Sequence, residues 1–263
     1  MCIVVFRWDP TSNKPLLLAA NRDEFYERPT VRMHWWPGGD VLSGRDQRSG
    51  GAWLGITRHG RFAMVTNIRN PALRKQDAPS RGELVRRFLE GSQSAQDFIT
   101  TAADGADRYE GFNLLCGELT ATKRALWFVN AEAREPQAIT AGIHGFSNAS
   151  LDTPWPKLLR LRNGFRHALA EHDPAKRFER LQRALHNTTP TPDAQLPRTG
   201  VPFDVERMLG SIFIRSGHYG TRASTVLSVA DDQAIVREGG FSVNGEPQGV
   251  LAFDFHIQPS ASS

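Results

Sequence analysis

Cys2 directly follows the leading methionine. Methionine ahead of a small residue is normally trimmed. A terminal cysteine then carries a nucleophile and a base in one residue, because its α-amine titrates at about pH 8 and the thiolate is the attacking form. The plainer alternative is a small apolar residue opening a buried strand. Asn21-Arg22-Asp23-Glu24 closes the apolar run Leu16–Ala20. Folded back beside Cys2, Arg22 would lower the thiol pKa and Asp23 would orient the amine; otherwise the four residues are a turn. Asn67 and Asn148 each end a strand-like run. An asparagine there either aims an amide N–H at a developing oxyanion or closes a turn. Arg222 follows Gly217 and Gly220, and its guanidinium suits a substrate carboxylate, a thiolate or a structural ion pair. Trp35, Trp36 and Trp53 either line an apolar substrate pocket or pack core. The eight histidines have no metal-ligand spacing and the two cysteines form no CxxC, so no metal or attached cofactor is expected. Neither a phosphate-binding glycine loop nor a G-x-S-x-G turn is present.

The elements that must position these residues follow from pattern. Cys2–Trp8 and Leu16–Ala20 read as a hairpin, as do Ala52–Thr57 and Arg61–Asn67, with a loop over Pro29–Gly51 between them. Ser80 with Glu83 reads as a capping box for a helix ending at Gly91, and a second helix spans Ser94–Ala103. Gly111–Leu119, Arg124–Asn130 and Ile143–Asn148 read as strands, and Trp155–Glu171 and Ala175–Leu185 as helices. A proline-rich loop, His186–Pro202, precedes strands at Ser211–Ile214, Ala223–Ala230, Gln233–Arg237 and Val250–Ile257. Hairpins alternating with paired helices imply an α+β fold of two packed sheets between helix layers.

The 263 residues are 40% hydrophobic and 23% charged, the balance of a globular protein, and suit one domain over 1–258 with a disordered tail at 259–263. A net charge of +4 without a Lys/Arg block argues against a nucleic-acid partner. The arginines of the first third either attract an acidic small molecule or simply form a solvated basic surface. Two cysteines make no disulfide framework, no secretory leader is evident and no apolar stretch reaches membrane-spanning length. The expectation is a cytoplasmic protein without membrane insertion; the oligomeric state is open.

MCI, LLLAANRDEFYERP, LSGRDQRSGGAWLGIT, Thr66-Asn67, SRGELV, GFNLL, GFSNASLDTPWPK and GYGTRAST, in this order from Met1 to about His256, resemble the NRDE family, that of transport and Golgi organisation protein 2. The resemblance implies a four-layer αββα sandwich related to N-terminal-nucleophile hydrolases, whose cysteine members cleave non-peptide C–N bonds. It implies Cys2 as nucleophile, Asp23 as the carboxylate beside its amine, Asn67 and Asn148 as oxyanion and amine-positioning residues, and Arg222 as an arginine near the thiol. Those hydrolases carry Arg-Asn-x-Asp, whereas Ala20 stands at that arginine position here and Arg22 directly precedes Asp23. Two activities follow: a cysteine amidohydrolase or acyltransferase for a small-molecule amide or thioester, or a trafficking protein binding haem, lipid or acyl-CoA beside Arg22, Trp35, Trp36 and Trp53.

Overall fold

The computed structural model describes residues 1–258, and the tail expected at 259–263 lies outside them. In chain order the strands are β1 (Cys2–Trp8), β2 (Leu16–Phe25), β3 (Thr30–Trp35), β4 (Val41–Asp46), β5 (Leu54–Thr57), β6 (Arg61–Asn67), β7 (Phe112–Leu119), β8 (Arg124–Asn130), β9 (Gln137–Ala138), β10 (Gly142–Phe146), β11 (Tyr219–Ala230), β12 (Gln233–Phe241) and β13 (Pro247–His256). The helices are α1 (Gly82–Glu90), α2 (Ala95–Asp104), α3 (Pro156–Leu169), α4 (Pro174–Leu185) and α5 (Phe203–Met208). One sheet runs β10-β1-β2-β11-β12-β13 and the other β3-β4-β5-β6-β7-β8-β9, and the paired strands are antiparallel.

Side-chain parity explains the layering. Val4, Phe6, Trp8, Leu16 and Leu18 meet Leu54, Ile56, Phe62, Met64 and Phe128 between the sheets. The alternate residues Ile3, Val5, Leu17 and Ala19 pack against Leu158, Leu161 and Phe165 of α3 and Leu181 and Leu185 of α4. On the far side, Ala63, Val65 and Leu114 pack under Leu84, Val85 and Phe88 of α1 and Phe98 and Ile99 of α2. The result is the αββα sandwich expected above. Because β1 is buried on both faces, its sequence reads as a continuous apolar run rather than an alternation.

Several boundaries differ from the pattern. The segment Pro29–Gly51 is not a loop: it holds the β3–β4 hairpin, which turns at Gly38 and Gly39 with φ of +100° and +76°, and a second turn at 47–50. The cluster of Trp, Pro and Gly hides two strands, of which β3 alternates polar and apolar residues while β4 begins fully buried. β2 runs on through Phe25, so Asn21–Glu24 is strand, not turn. Ser80 accepts from Gly82 N at 3.3 Å rather than from Glu83, so the capping box does not form. Ser211–Ile214 makes no strand, and its carbonyls instead serve side chains of β2 and backbone of β11.

Gly51 and Gly82 abut, with Ala52 N donating to Gly82 O at 3.1 Å; a Cβ on Gly51 would lie 2.6 Å from the Gly82 carbonyl carbon. This approach seats the N-terminus of α1 at one end of the sandwich. Gly51→Ala should therefore lower unfolding stability in urea by about 1–3 kcal/mol; an unchanged midpoint would show that α1 is seated otherwise.

Candidate active site

The pairing of β1 with β2 sets Cys2 opposite Arg22. Strand alternation then separates the motif residues by face. Cys2 and Arg22 share the inter-sheet face, while Asn21 and Asp23 face the α3–α4 layer. There Asn21 Nδ2 donates to Leu185 O (2.8 Å) and Ile212 O (2.9 Å), and Ser224 Oγ donates to Asn21 Oδ1 at 2.7 Å. Asp23 Oδ1 accepts from Thr221 Oγ1 at 2.7 Å, and Oδ2 has no partner. Glu24 returns to the other face and pairs with Arg22 at 3.8 Å and Arg28 at 3.9 Å. The motif therefore braces a helix-side loop (Asn21), faces a cavity (Arg22, Glu24) and buries a carboxylate (Asp23).

Met1 extends β1 by one residue. Its carbonyl accepts from Asp23 N at 2.6 Å, and its ammonium donates to the Asp23 carbonyl and, at 2.8 Å, to Tyr219 Oη. Cys2 is 6% exposed. Burial pushes its thiol above the ordinary value, offset in part by the neighbouring ammonium and by Arg22, while Asp23 adds to the rise. The lowering expected from Arg22 is thus present but outweighed. Burial likewise raises the Asp23 carboxyl, and the ammonium opposes it.

Ser147 and Asn148, just beyond β10, tie down the backbones of Cys2 and Asn67 respectively. Ser147 Oγ donates to Cys2 O at 2.7 Å, and Asn148 Nδ2 donates to Asn67 O at 2.9 Å. Asn148 therefore spends an amide proton on the backbone of Asn67 and acts as its brace. Asn67 itself lines the cavities beside Cys2. Beneath them Arg69 pairs with Glu206, both buried, and its guanidinium stacks 4.8 Å over Trp155.

Two cavities meet at Met1, Glu24, Asn67 and Arg81. The smaller, about 100 Å³, holds Cys2 with Arg22, Arg28, Arg45 and Arg81 and is closed by Trp53. The larger, about 470 Å³, is walled by Phe25, Ile68, Leu73, Val205, Met208 and Leu209. Of the three tryptophans expected to line a pocket, Trp53 does. Trp35 instead packs edge-on to Phe255 (4.9 Å) under Arg58, and Trp36 is buried with Nε1 donating to Ser43 O at 3.2 Å. Both fill core because β3 is a strand rather than a loop. Arg222 lines neither cavity. It sits at a bulge between Thr221 and Ala223, which turns its side chain onto the carbonyls of Phe25 and Arg28. The arginines that line the cavity holding Cys2 are Arg22, Arg28, Arg45 and Arg81.

The pattern also missed Lys157, which is 2% exposed in the first turn of α3. A signal was available: Lys157 falls four residues before Leu161 and eight before Phe165, on the buried stripe of the helix.

Taken together, fold and site define an αββα sandwich with a buried cysteine at the open end of its first strand. The chain belongs to the transport and Golgi organisation 2 family, whose model matches residues 1–237. It is 34% identical over 249 residues to the Bos taurus transport and Golgi organization protein 2 homolog, covering 88% of this chain and 90% of the relative. The Homo sapiens homolog gives the same identity and coverage, and the Drosophila melanogaster protein is 25% identical over 251 residues, covering 87% of this chain and 88% of the relative. Among solved structures, a Caenorhabditis elegans ortholog of N-acylethanolamine-hydrolyzing acid amidase superposes with a TM-score of 0.46 at 9% identity, over 86% of this chain and 92% of that one. A mutant conjugated bile acid hydrolase from Clostridium perfringens gives 0.41 at 9% identity, over 100% and 99%. These distant likenesses say nothing of this chain's chemistry.

The Arg69–Glu206 pair seats α5 beneath the site. Breaking a buried pair strands a charge, so Arg69→Met should cost about 3–5 kcal/mol in urea unfolding; a loss below about 1 kcal/mol would show the pair to be dispensable.

Proposed function

We propose that the chain is an N-terminal cysteine amidohydrolase or acyltransferase acting on a non-peptide amide or a thioester of a small amphiphilic molecule. The observation that carries this reading is the position of Cys2, where an arginine-lined cavity joins a larger apolar one and the amino terminus is bound beside Asp23. The apolar cavity falls in the size range of small-molecule sites. Its walls suit an acyl arm, while Arg22 and Arg45 suit an anionic end. Arg22 has Glu24 as its charged partner at 3.8 Å, and Arg45 rests on Trp36.

The chemistry requires loss of Met1, which leaves the α-amine on Cys2. Because burial keeps the resting thiol protonated, the thiol needs a base at the moment of attack. The α-amine takes the proton as Sγ bonds to the acyl carbon, and the oxyanion that forms is met by the Asn67 amide. Collapse breaks the C–N or C–S bond, and the ammonium returns its proton to the leaving group. Water, or a second acceptor, then attacks the acyl-cysteine; the amine removes its proton and passes it to the departing thiolate. Asp23 steadies the ammonium each time it forms.

A second reading is a binding protein on the same fold, which the apolar walls of the larger cavity favour and which applies to any chain that keeps Met1. With Met1 in place the ammonium is committed to the Asp23 carbonyl and Tyr219, and the Met1 side chain packs with Leu209, Ile214 and Tyr219, so Cys2 has no free amine. An acyl chain fits that reading better than haem: the side chains lining the larger cavity include no histidine or cysteine, and Met1, Met208 and Tyr219 are those of an axial haem-ligand type.

Cys2→Ser should leave folding intact and reduce turnover of long-chain N-acyl amides and acyl thioesters by at least about a thousandfold. Cys2→Ala should retain acyl-chain binding within a few-fold. Unchanged turnover in both variants would sink the thiol mechanism.

A further inference from the structure

β10 is an edge strand of its sheet, and the residues just beyond it, 147–152, form a loop that returns to its open side. The near end of this loop reaches the site, where Ser147 Oγ donates to Cys2 O and Asn148 Nδ2 to Asn67 O. The second sheet holds the same end: Thr66 Oγ1 donates to Ser147 O at 2.6 Å and Asn113 Nδ2 to Ala149 O at 2.7 Å. The far end closes on β10 through Asp152. Its backbone N donates to Gly145 O at 2.7 Å, and its Oδ1 accepts from Gly145 N at 2.9 Å. Asp152 has a φ of +56°, which a residue other than glycine keeps only where its contacts hold it there.

Those contacts include His144. Its Nδ1 lies 2.8 Å from Asp152 Oδ2 and its Nε2 lies 3.0 Å from Thr140 O. A carbonyl and an ionised carboxylate only accept, so both bonds form at once only if both ring nitrogens carry hydrogen. That species is the imidazolium, and either neutral tautomer sets a lone pair against an acceptor. Arg162 of α3 completes the cluster, donating to Asp152 Oδ1 and to Ile143 O, each at 2.6 Å. The charged groups acting on the ring are therefore Asp152 in the loop and Arg162 on α3. β1 presents the Phe6 ring, 5.8 Å between centroids, and the segment after β9 presents the Thr140 carbonyl.

We propose that His144 is a positioning residue: as the imidazolium it clasps Asp152, and so holds the loop from which Ser147 braces Cys2 and Asn148 braces Asn67. Its bearing on turnover rests on the thiol reading above, whereas the clasp itself does not. The bond to Asp152 raises the His144 ring above an ordinary histidine, with burial opposing. Burial pushes the Asp152 carboxyl up, but its bonds to His144 and Gly145 and the Arg162 charge outweigh that and hold it low. A histidine raised by folding contributes fully below the ordinary histidine value, and its contribution is lost as pH rises through the raised one. The clasp is thus closed in acid and weakens as the ring releases one proton to solvent. The Arg162 bonds do not depend on that proton, so the loop loosens without detaching.

Three measurements on the full chain test this. With ring-15N-labelled histidine, His144 should show imidazolium signals in mild acid and titrate above an ordinary histidine, and Asp152→Asn should lower its midpoint. Amide hydrogen exchange, corrected for its intrinsic pH dependence, reads the clasp directly. The reporters are the amides of Gly145 and Asp152, and that of Arg69, which donates to Asn148 O at 2.7 Å. Their protection in the wild type should fall about three- to tenfold as pH passes the His144 midpoint. In His144→Gln, which has no titrating group at this position, protection should not follow that midpoint. Turnover of a long-chain N-acyl amide supplies the third reading. The ratio of wild-type kcat to that of His144→Gln should fall about threefold or more over the same interval while the KM ratio stays constant, because Asn67 meets the oxyanion rather than the bound substrate. A histidine that only packs beside Phe6 would leave the wild-type exchange profile and the kcat ratio independent of pH, and either result overturns the proposal. So does a neutral His144 in mild acid, or a midpoint that Asp152→Asn leaves in place. Failure of the thiol reading alone would appear differently, as unchanged turnover in Cys2→Ser with the pH-dependent exchange still present.

Discussion

The antiparallel pairing of β1 with β2 is the contact on which the site depends. It places Cys2 opposite Arg22, and it makes the alternation of side chains along β2 decide what each motif residue can reach. A slip of one residue would exchange the faces, directing Asp23 between the sheets and Arg22 into the helix layer. Such a slip is resisted on both sides at once. Val4, Phe6, Leu16 and Leu18 belong to the inter-sheet core, and Ile3, Val5, Leu17 and Ala19 to the core under α3 and α4. The buried bonds of Asn21 to Leu185 O and Ile212 O pin the register further. The terminal residue of this doubly buried strand is the proposed nucleophile.

Around that strand end the protein tolerates several costly features together. The thiol and the Asp23 carboxyl are both buried enough to disfavour their charged forms. Arg69 and Glu206 are sealed beneath them, and Lys157 has no hydrogen-bond partner. A core designed for stability alone would replace these groups with apolar ones. Their concentration at one end of the sandwich, beside the two joined cavities, is what distinguishes this end from the rest of the molecule.

Much of the fold was legible in the sequence because the long elements keep a clean period. α3 and α4, the β1–β2, β5–β6 and β7–β8 hairpins and the last strand follow their patterns. The failures have particular causes. Pro37, Gly38 and Gly39 mask the alternation of β3, so Pro29–Gly51 reads as loop, and the sequence leaves Trp35 and Trp36 open between pocket wall and core. Polar letters at Asn21–Glu24 suggested a turn as the plain alternative, because a strand that buries asparagine and aspartate is recognisable only once the groups that bond them are known. Those groups lie some 160 to 200 positions away, at Leu185, Ile212, Thr221 and Ser224. The direction of Arg222 is hidden for a similar reason: a one-residue bulge decides which way it faces, and no local pattern reveals the bulge. Arg81 and Arg45 reach the cavity through the seating of α1 and the stacking on Trp36, which are tertiary facts.

The most direct test of the central claim is the intact mass of the purified protein before and after brief exposure to a long-chain acyl thioester, with peptide mapping of any adduct. The account predicts that molecules lacking Met1 gain one acyl group on Cys2 and that molecules retaining Met1 gain none. Equal acylation of both forms, or an adduct confined to Cys116, would contradict a nucleophile that uses its own α-amine as base.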